Sequence, residues 1–500
     1  MDKKTMISRR GFLKAGAAVS ALGMMAAAPA AASAAAPAPA AVEEENGLLD
    51  VFKKPKYIFL FIGDGMGTVQ IQSARFYKGT VENDGAVTEA DLSFTGFPAV
   101  GSVTTYDSTS FCPDSASTAT SIATGYKTES GVINMCPWTR DVPYETIAEK
   151  LHKQKGYKVG VVSTVNIDHA TPAAFYAHQA SRKNYYDIGV ELANSGFEYF
   201  AGGEFQKVKG NGNVPDNHAV AAQAGYRVVT SQAEAAALPA NAGKTLIIAQ
   251  NLADGKSMNY AMDAAPGEWQ LTDYVKKGIE LLDNGKGFFL MTESGKIDWA
   301  CHANDAATAF NEVIDMDQAI SIAYEFYKQH PDETLIVVTA DHETGGIALG
   351  KGPYELHTEV LKHQRMSTEA YGKHFQELHN QYGNKLTWQQ VADDLKQHWG
   401  LDSNVKLTDQ QKERLQQAYN NIMSGNSNDK KTLYAKVNIL AETARAIMAE
   451  CALIGWESNG HSNGYVPVFA IGAGAEQFKG QIDNTRIPQI IAEAAGWTAL

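Results

Sequence analysis

Tyr57-Ile58-Phe59-Leu60-Phe61-Ile62-Gly63-Asp64-Gly65-Met66-Gly67 is an unbroken apolar run that empties into a glycine-rich turn carrying one carboxylate. A run without polar alternation reads as a strand buried on both faces, the kind found in largely parallel sheets covered by helices. The same pattern recurs at Val159 to Val162, Phe288 to Met291, Leu335 to Val338 and Val466 to Ile471, with helical spacing such as Ala303 to Tyr327 between runs. The fold class expected is therefore α/β, a central, largely parallel β-sheet flanked by helices.

The residues just after these runs point to a site. Asp64 comes after the first, Asp168-His169-Ala170-Thr171 after the second, Thr292-Glu293 after the third and Asp341-His342 after the fourth. Open α/β sheets bind ligands at the carboxyl ends of their strands, so these side chains are expected along one edge.

The chain has 500 residues, 44% of them apolar, and a formal charge of −13. Residues 1–36 carry a net +4, so a chain lacking them would stand at −17. That acidity argues against broad nucleic-acid binding and against docking on an anionic membrane surface. An anionic substrate stays open, because bound divalent metals reverse the local sign of a site.

Ser8-Arg9-Arg10-Gly11-Phe12-Leu13-Lys14 with the Ala-rich run Ala15 to Ala28 resembles a bacterial twin-arginine export signal, giving residues 1–36 as a signal peptide and a periplasmic or secreted protein with no membrane anchor once mature. Residues 37–54 read as a flexible lead-in. Residues 55–351 plus 456–500 are expected as the α/β domain and 352–455 as a helical insertion over the site edge. In the insertion, Thr387 with Gln390 and Thr408 with Gln411 form capping boxes, and Gly400 ends a helix. Its histidines, His357, His363, His374, His379 and His398, read as surface residues. Cys112 and Cys136 could pair, while Cys301 and Cys451 read as buried thiols.

Three further groups carry chemistry. Asp298 and His302, four apart, share one helical face and can hold one metal, with Glu293 at the preceding strand end. Gly460-His461-Ser462-Asn463-Gly464 adds a histidine just before an apolar run. Asp114-Ser115 opens a small-residue helix, where a serine could act as a nucleophile toward an anion; Asp and Ser are equally ordinary helix caps there.

Taken in order, Gly63 to Gly67, Asp114-Ser115-Ala116, His169 to Ala174, Ser181-Arg182, Glu293 through His302 to Asp305, Thr339 to Gly346, and His461 before Val466 to Ala470 resemble the motifs of alkaline phosphatases. The resemblance implies metal-dependent hydrolysis of small phosphate monoesters through a phosphoserine intermediate, with Ser115 as nucleophile and Arg182 clamping phosphoryl oxygens. It implies two Zn2+, one held by Asp298, His302 and His461, the other by Asp64, Asp341, His342 and the Ser115 oxygen. A third ion, usually Mg2+, would use Asp64, Thr171 and Glu293. Asp114 would hold Arg182 or cap its helix. His169 and Trp299 stand where some relatives have a carboxylate and a lysine near the third metal or phosphate, which leaves the third ion's identity open. A homodimer is a family expectation. No nucleic-acid-binding module is expected.

Overall fold

The computed structural model describes residues 54–426, 429–431 and 436–497. The expected signal peptide, residues 1–36, and all of the lead-in except Lys54 lie outside the described residues. The core is a ten-stranded sheet. In chain order its strands are β1 Tyr57–Gly63, β2 Ala99–Thr104, β3 Lys158–Asn166, β4 Tyr199–Gly203, β5 Arg227–Val229, β6 Thr245–Ile248, β7 Phe288–Ser294, β8 Thr334–Ala340, β9 Val466–Gly472 and β10 Gly480–Asp483. Across the sheet they run β10-β2-β9-β8-β1-β7-β3-β4-β6-β5.

Every pairing is parallel except those of β9, which is antiparallel to both β2 and β8. The five unbroken apolar runs are all strands, and β1, β7 and β8 are buried at every residue, which is why they lack polar alternation. Helices such as Ala306–Gln329 and Leu271–Leu282 pack on the sheet. Val337, Phe289 and Phe59 are among the residues fully withdrawn from water in the core.

The register explains the site. β8, β1, β7 and β3 are consecutive neighbours; Gly63 pairs with both Ser294 and Ala340, so β8, β1 and β7 finish level, while β3 runs on to Asn166. β9 runs the other way, so its first residues, not its last, lie at that edge. Val468 pairs with Thr339 near the end of β8. A histidine preceding β9 therefore reaches the same place as an aspartate just after β8.

The segment 352–455 holds helices Thr368–Tyr382, Trp388–Trp399, Asp409–Met423 and Ile439–Ala452. Both expected capping boxes form, and Gly400 ends its helix with a left-handed backbone. Ile347–Leu349 and Ile454–Trp456 pair antiparallel and close the base of the segment. The first helix is tied to the sheet-bearing part of the chain by Asp305, whose Oδ2 accepts from Thr368 N at 2.9 Å and Thr368 Oγ1 at 2.6 Å. His374 and His398, read as surface residues from the sequence, are part-buried between two of these helices. All four cysteines are free thiols, and only Cys301 is fully buried.

Candidate active site

Ser115 is the first residue of helix Ser115–Thr124 and is buried. Small side chains run the length of that helix, which lets it lie wholly inside the fold with its N-terminus aimed at the sheet edge. Asp114 caps it: its Oδ1 accepts from Ser117 N at 3.1 Å and from Gly131 N at 2.9 Å. Its other oxygen, Oδ2, accepts from Arg182 Nη1 at 2.8 Å. The two roles that sequence leaves as alternatives for Asp114 are thus divided between its two oxygens. Burial works to raise Asp114, but Arg182 and the Gly131 N–H outweigh it and hold the carboxylate below its usual value.

Arg182 is gripped from its second prong as well. Nη2 donates to His169 Nε2 at 3.0 Å, which fixes His169 as the tautomer protonated on Nδ1. Burial, then the Arg182 charge, pushes His169 down to about 3, so this imidazole is neutral. His169 and Trp299 meet edge to face with ring centroids 6.1 Å apart. Trp299 is buried, and a Cβ at Gly255 would come within 2.7 Å of its ring, so the indole fills its place tightly.

Two overlapping groups of ligand-type atoms lie beside Ser115. In the first, Asp298 Oδ2 and His302 Nε2, four apart on helix Lys296–His302, are 3.2 Å apart. His461 Nε2 is 3.2 Å from His302 Nε2 and 3.7 Å from Asp298 Oδ1. In the second, His342 Nε2 lies 3.2 Å from Asp341 Oδ2, 3.5 Å from Asp64 Oδ1 and 3.2 Å from Ser115 Oγ. The His342 and His461 rings stack at 3.6 Å, joining the groups. A third group gathers Asp64, His169 and Glu293, with Thr171 Oγ1 donating to Asp64 Oδ2 at 3.3 Å.

These residues fit cations. His302 Nδ1 lies 2.6 Å from the Asn459 carbonyl and His461 Nδ1 2.6 Å from the Pro113 carbonyl, so each ring spends its proton on backbone. Their Nε2 lone pairs then face one another, an arrangement that a shared cation relieves. Asp64 Oδ1, Glu293 Oε1 and Asp298 Oδ2 are buried without a hydrogen-bond partner. Orphaned anionic oxygens of this kind are costly unless a positive charge meets them. Burial, compounded by neighbouring carboxylates, raises Asp64 well above the usual carboxylate range. Burial raises Asp341 to about 7 and Glu293 to about 8. Asp298 goes the other way: burial works to raise it, but His302, His461 and His342 outweigh that and pull it down.

All the site residues anticipated from sequence therefore converge. Others were missed. Thr344 Oγ1 donates to Asp298 Oδ1 at 2.6 Å, and Thr118 Oγ1 to Asp341 Oδ2 at 3.3 Å. Ser163 Oγ donates a short hydrogen bond to Glu293 Oε2. Thr344 lies two residues after His342, near enough to have been guessed; a serine inside β3 gives no such hint. Gly65, with φ +71°, lets its N–H reach Asp341 Oδ1 at 3.1 Å, and a Cβ there would strike Thr344.

Known proteins share this arrangement of chain and fold. The family model described as alkaline phosphatase matches residues 55–199 and 193–497. The chain is 32% identical over 446 residues to alkaline phosphatase 4 of Bacillus subtilis, covering 87% of each chain. It is 30% identical over 470 residues to alkaline phosphatase 3 of the same organism, covering 91% of each. Among solved structures, the cold-active alkaline phosphatase of a psychrophilic Shewanella superposes with a TM-score of 0.73 at 28% identity, over 88% of this chain and 100% of that one.

Proposed function

Because the chain belongs to the alkaline phosphatase family and hydrolyses phosphate monoesters, we propose that it does so through Ser115, in two displacements at phosphorus. In the first, Ser115 Oγ bonds to phosphorus as the ester P–O bond breaks, and the alcohol leaves with a proton. In the second, water attacks the phosphoserine, the Ser115 Oγ–P bond breaks, and inorganic phosphate departs.

The observation that carries this reading is the placement of Ser115 Oγ. It sits at the head of its helix, 3.2 Å from His342 Nε2, one residue from the carboxylate that grips Arg182. Held by Asp114 on one prong and His169 on the other, Arg182 is oriented to bind two phosphoryl oxygens with its planar fork. The positive end of helix Ser115–Thr124 favours the anionic group at the same point. Two zinc ions at Asp298, His302, His461 and at Asp64, Asp341, His342, with magnesium at Asp64, Thr171 and Glu293, would supply Lewis acidity to the serine, the leaving oxygen and the water.

In the same reading, residues 1–36 direct export to the periplasm or medium. Their Arg9-Arg10 motif supports it, and among the described residues no helix is long and apolar enough to cross a membrane. The division into a catalytic part, 55–351 plus 456–500, and a helical insertion, 352–455, is supported by the strand pair at its base. Pairing of two copies is carried over as a family expectation.

The test compares hydrolysis of an aryl phosphate monoester and an aryl diester by wild type and Ser115→Ala, before and after chelation. Monoester turnover lost in both treatments is expected. Turnover that survives either one, or a preference for the diester, overturns the reading.

A further inference from the structure

Away from the site just described, the helical segment holds a second cluster of ligand-type side chains. His374 projects from helix Thr368–Tyr382, while Asp394 and His398, four apart, share one face of helix Trp388–Trp399. Their ligand atoms all lie within 4.8 Å of one another. His374 Nε2 is 2.8 Å and His398 Nε2 3.6 Å from the same oxygen, Asp394 Oδ1. The imidazole rings lie 4.8 Å apart, inclined at 58°.

The surroundings set this geometry. Tyr371 Oη donates to Asp394 Oδ2 at 2.9 Å, which occupies that oxygen and turns Oδ1 toward the histidines. Tyr371 is itself wedged against Trp399, ring centroids 5.4 Å apart, and both are fully buried, so the carboxylate is held by a rigid support. Asp394 is 13% exposed, His374 27% and His398 23%, leaving the open side of the cluster toward solvent. A simple ion pair between helices needs one histidine, and the 2.8 Å contact of His374 provides it. The second imidazole, aimed at the same oxygen but beyond hydrogen-bonding distance, is left over by that explanation. Tetrahedral coordination at zinc-like bond lengths of ~2 Å puts ligand atoms roughly 3.3 Å apart, between the 2.8 and 3.6 Å spacings of the two histidines from Asp394 Oδ1.

We infer that His374, Asp394 and His398 form a further divalent transition-metal site, of the zinc class, that staples the two helices together. Two imidazole nitrogens and one carboxylate oxygen suit zinc or cobalt over calcium or magnesium. With three protein ligands and an open side, the fourth position falls to water. Asp394 and His398 repeat the i, i+4 spacing of Asp298 and His302, so two helices of the chain carry the same ligand device. Tyr371 plays toward Asp394 the supporting part that Thr344 plays toward Asp298.

The test is equilibrium dialysis of the holoenzyme against micromolar free zinc, followed by elemental analysis of metal per chain, for wild type, His374→Ala and His398→Gln. Both variants are expected to hold about one zinc fewer per chain while hydrolysing an aryl phosphate at the wild-type rate. Added zinc should raise the melting temperature of wild type and leave the variants unmoved. His398→Gln keeps a helix-compatible side chain and the His374–Asp394 contact, so it stays informative if His374→Ala fails to fold. Equal metal content in folded wild type and His398→Gln would overturn the inference and leave the cluster a helix-to-helix ion pair.

Discussion

Ser115 and Asp114 are adjacent in sequence and divided in task. Ser115→Ala removes the proposed nucleophile and is expected to lower kcat for an aryl monoester at least ~10³-fold, with little change in folding. Asp114→Asn keeps an acceptor for the helix cap but gives up the charge that holds Arg182. Its expected effect is a rise in KM and a fall of ~10- to 100-fold in kcat/KM at nearly unchanged stability. Asp114→Ala loses the cap as well, about 1 kcal/mol more, visible as a lower melting temperature. If both variants kept the wild-type KM and differed only in stability, Asp114 would be a cap and nothing else. Thr344→Val deletes the 2.6 Å hydrogen bond to Asp298. Competition with a chelator should then show metal affinity weakened by ~10- to 100-fold, without loss of any metal ligand. At this scale the sequence was legible where a residue's chemistry had few alternatives: Asp64, Glu293, Asp298, His302, Asp341, His342 and His461 all reach the site. It was mute where the partner is a common hydroxyl or a backbone carbonyl. Ser163, Thr118, Asn459 O and Pro113 O orient those side chains, yet nothing in their local sequence marks them.

Elements carry the next layer, and β9 is the instructive one. Its apolar run is as plain in the sequence as that of β8, but a run has no direction, and only its pairing with β2 and β8 reveals that it is reversed. That reversal is what brings His461 to the carboxyl edge. β2, β4, β5, β6 and β10 escaped the reading because they are short or rich in glycine, alanine and exposed polar residues. Helices of 352–455 were easier, since caps are local and Thr387, Gly400 and Thr408 act on their own neighbours. A second element-level consequence concerns pH. His178 sits between Glu149, on helix Ile147–Lys150, and Glu191, on helix Tyr185–Asn194, at 3.4 and 3.6 Å. Burial works to lower His178, but hydrogen bonds and charge from the two glutamates prevail and raise it to about 9. The folded state thus binds this proton more tightly than the unfolded chain does. The stability it adds, on the order of 3 kcal/mol at most, is full below about pH 6.5 and lost as pH rises through 9. His178→Gln should therefore lower the melting temperature at pH 6 and leave it almost unchanged at pH 10. Equal destabilisation of the variant at both values would rule out a stabilising ion pair at His178.

For the whole molecule, the sheet edge concentrates four buried carboxylates, Asp64, Glu293, Asp298 and Asp341, within one site. Such a concentration of anionic groups opposes folding unless cations accompany it. Removal of bound metal is expected to lower the melting temperature by on the order of 10 °C and to abolish activity, with both restored by zinc plus magnesium. Unchanged melting after complete removal would mean that the fold tolerates its own acidic edge. The proposed function turns on one event, the passage of phosphate through Ser115 on its way to water. Its most direct test is acid quenching of the enzyme during turnover of a phosphate monoester, followed by peptide mass spectrometry. A phosphate adduct on Ser115 that accumulates in wild type and is absent in Ser115→Ala is the predicted result. Turnover at the wild-type rate with no adduct on Ser115 at any quench time or pH, or an adduct on another residue, would contradict it.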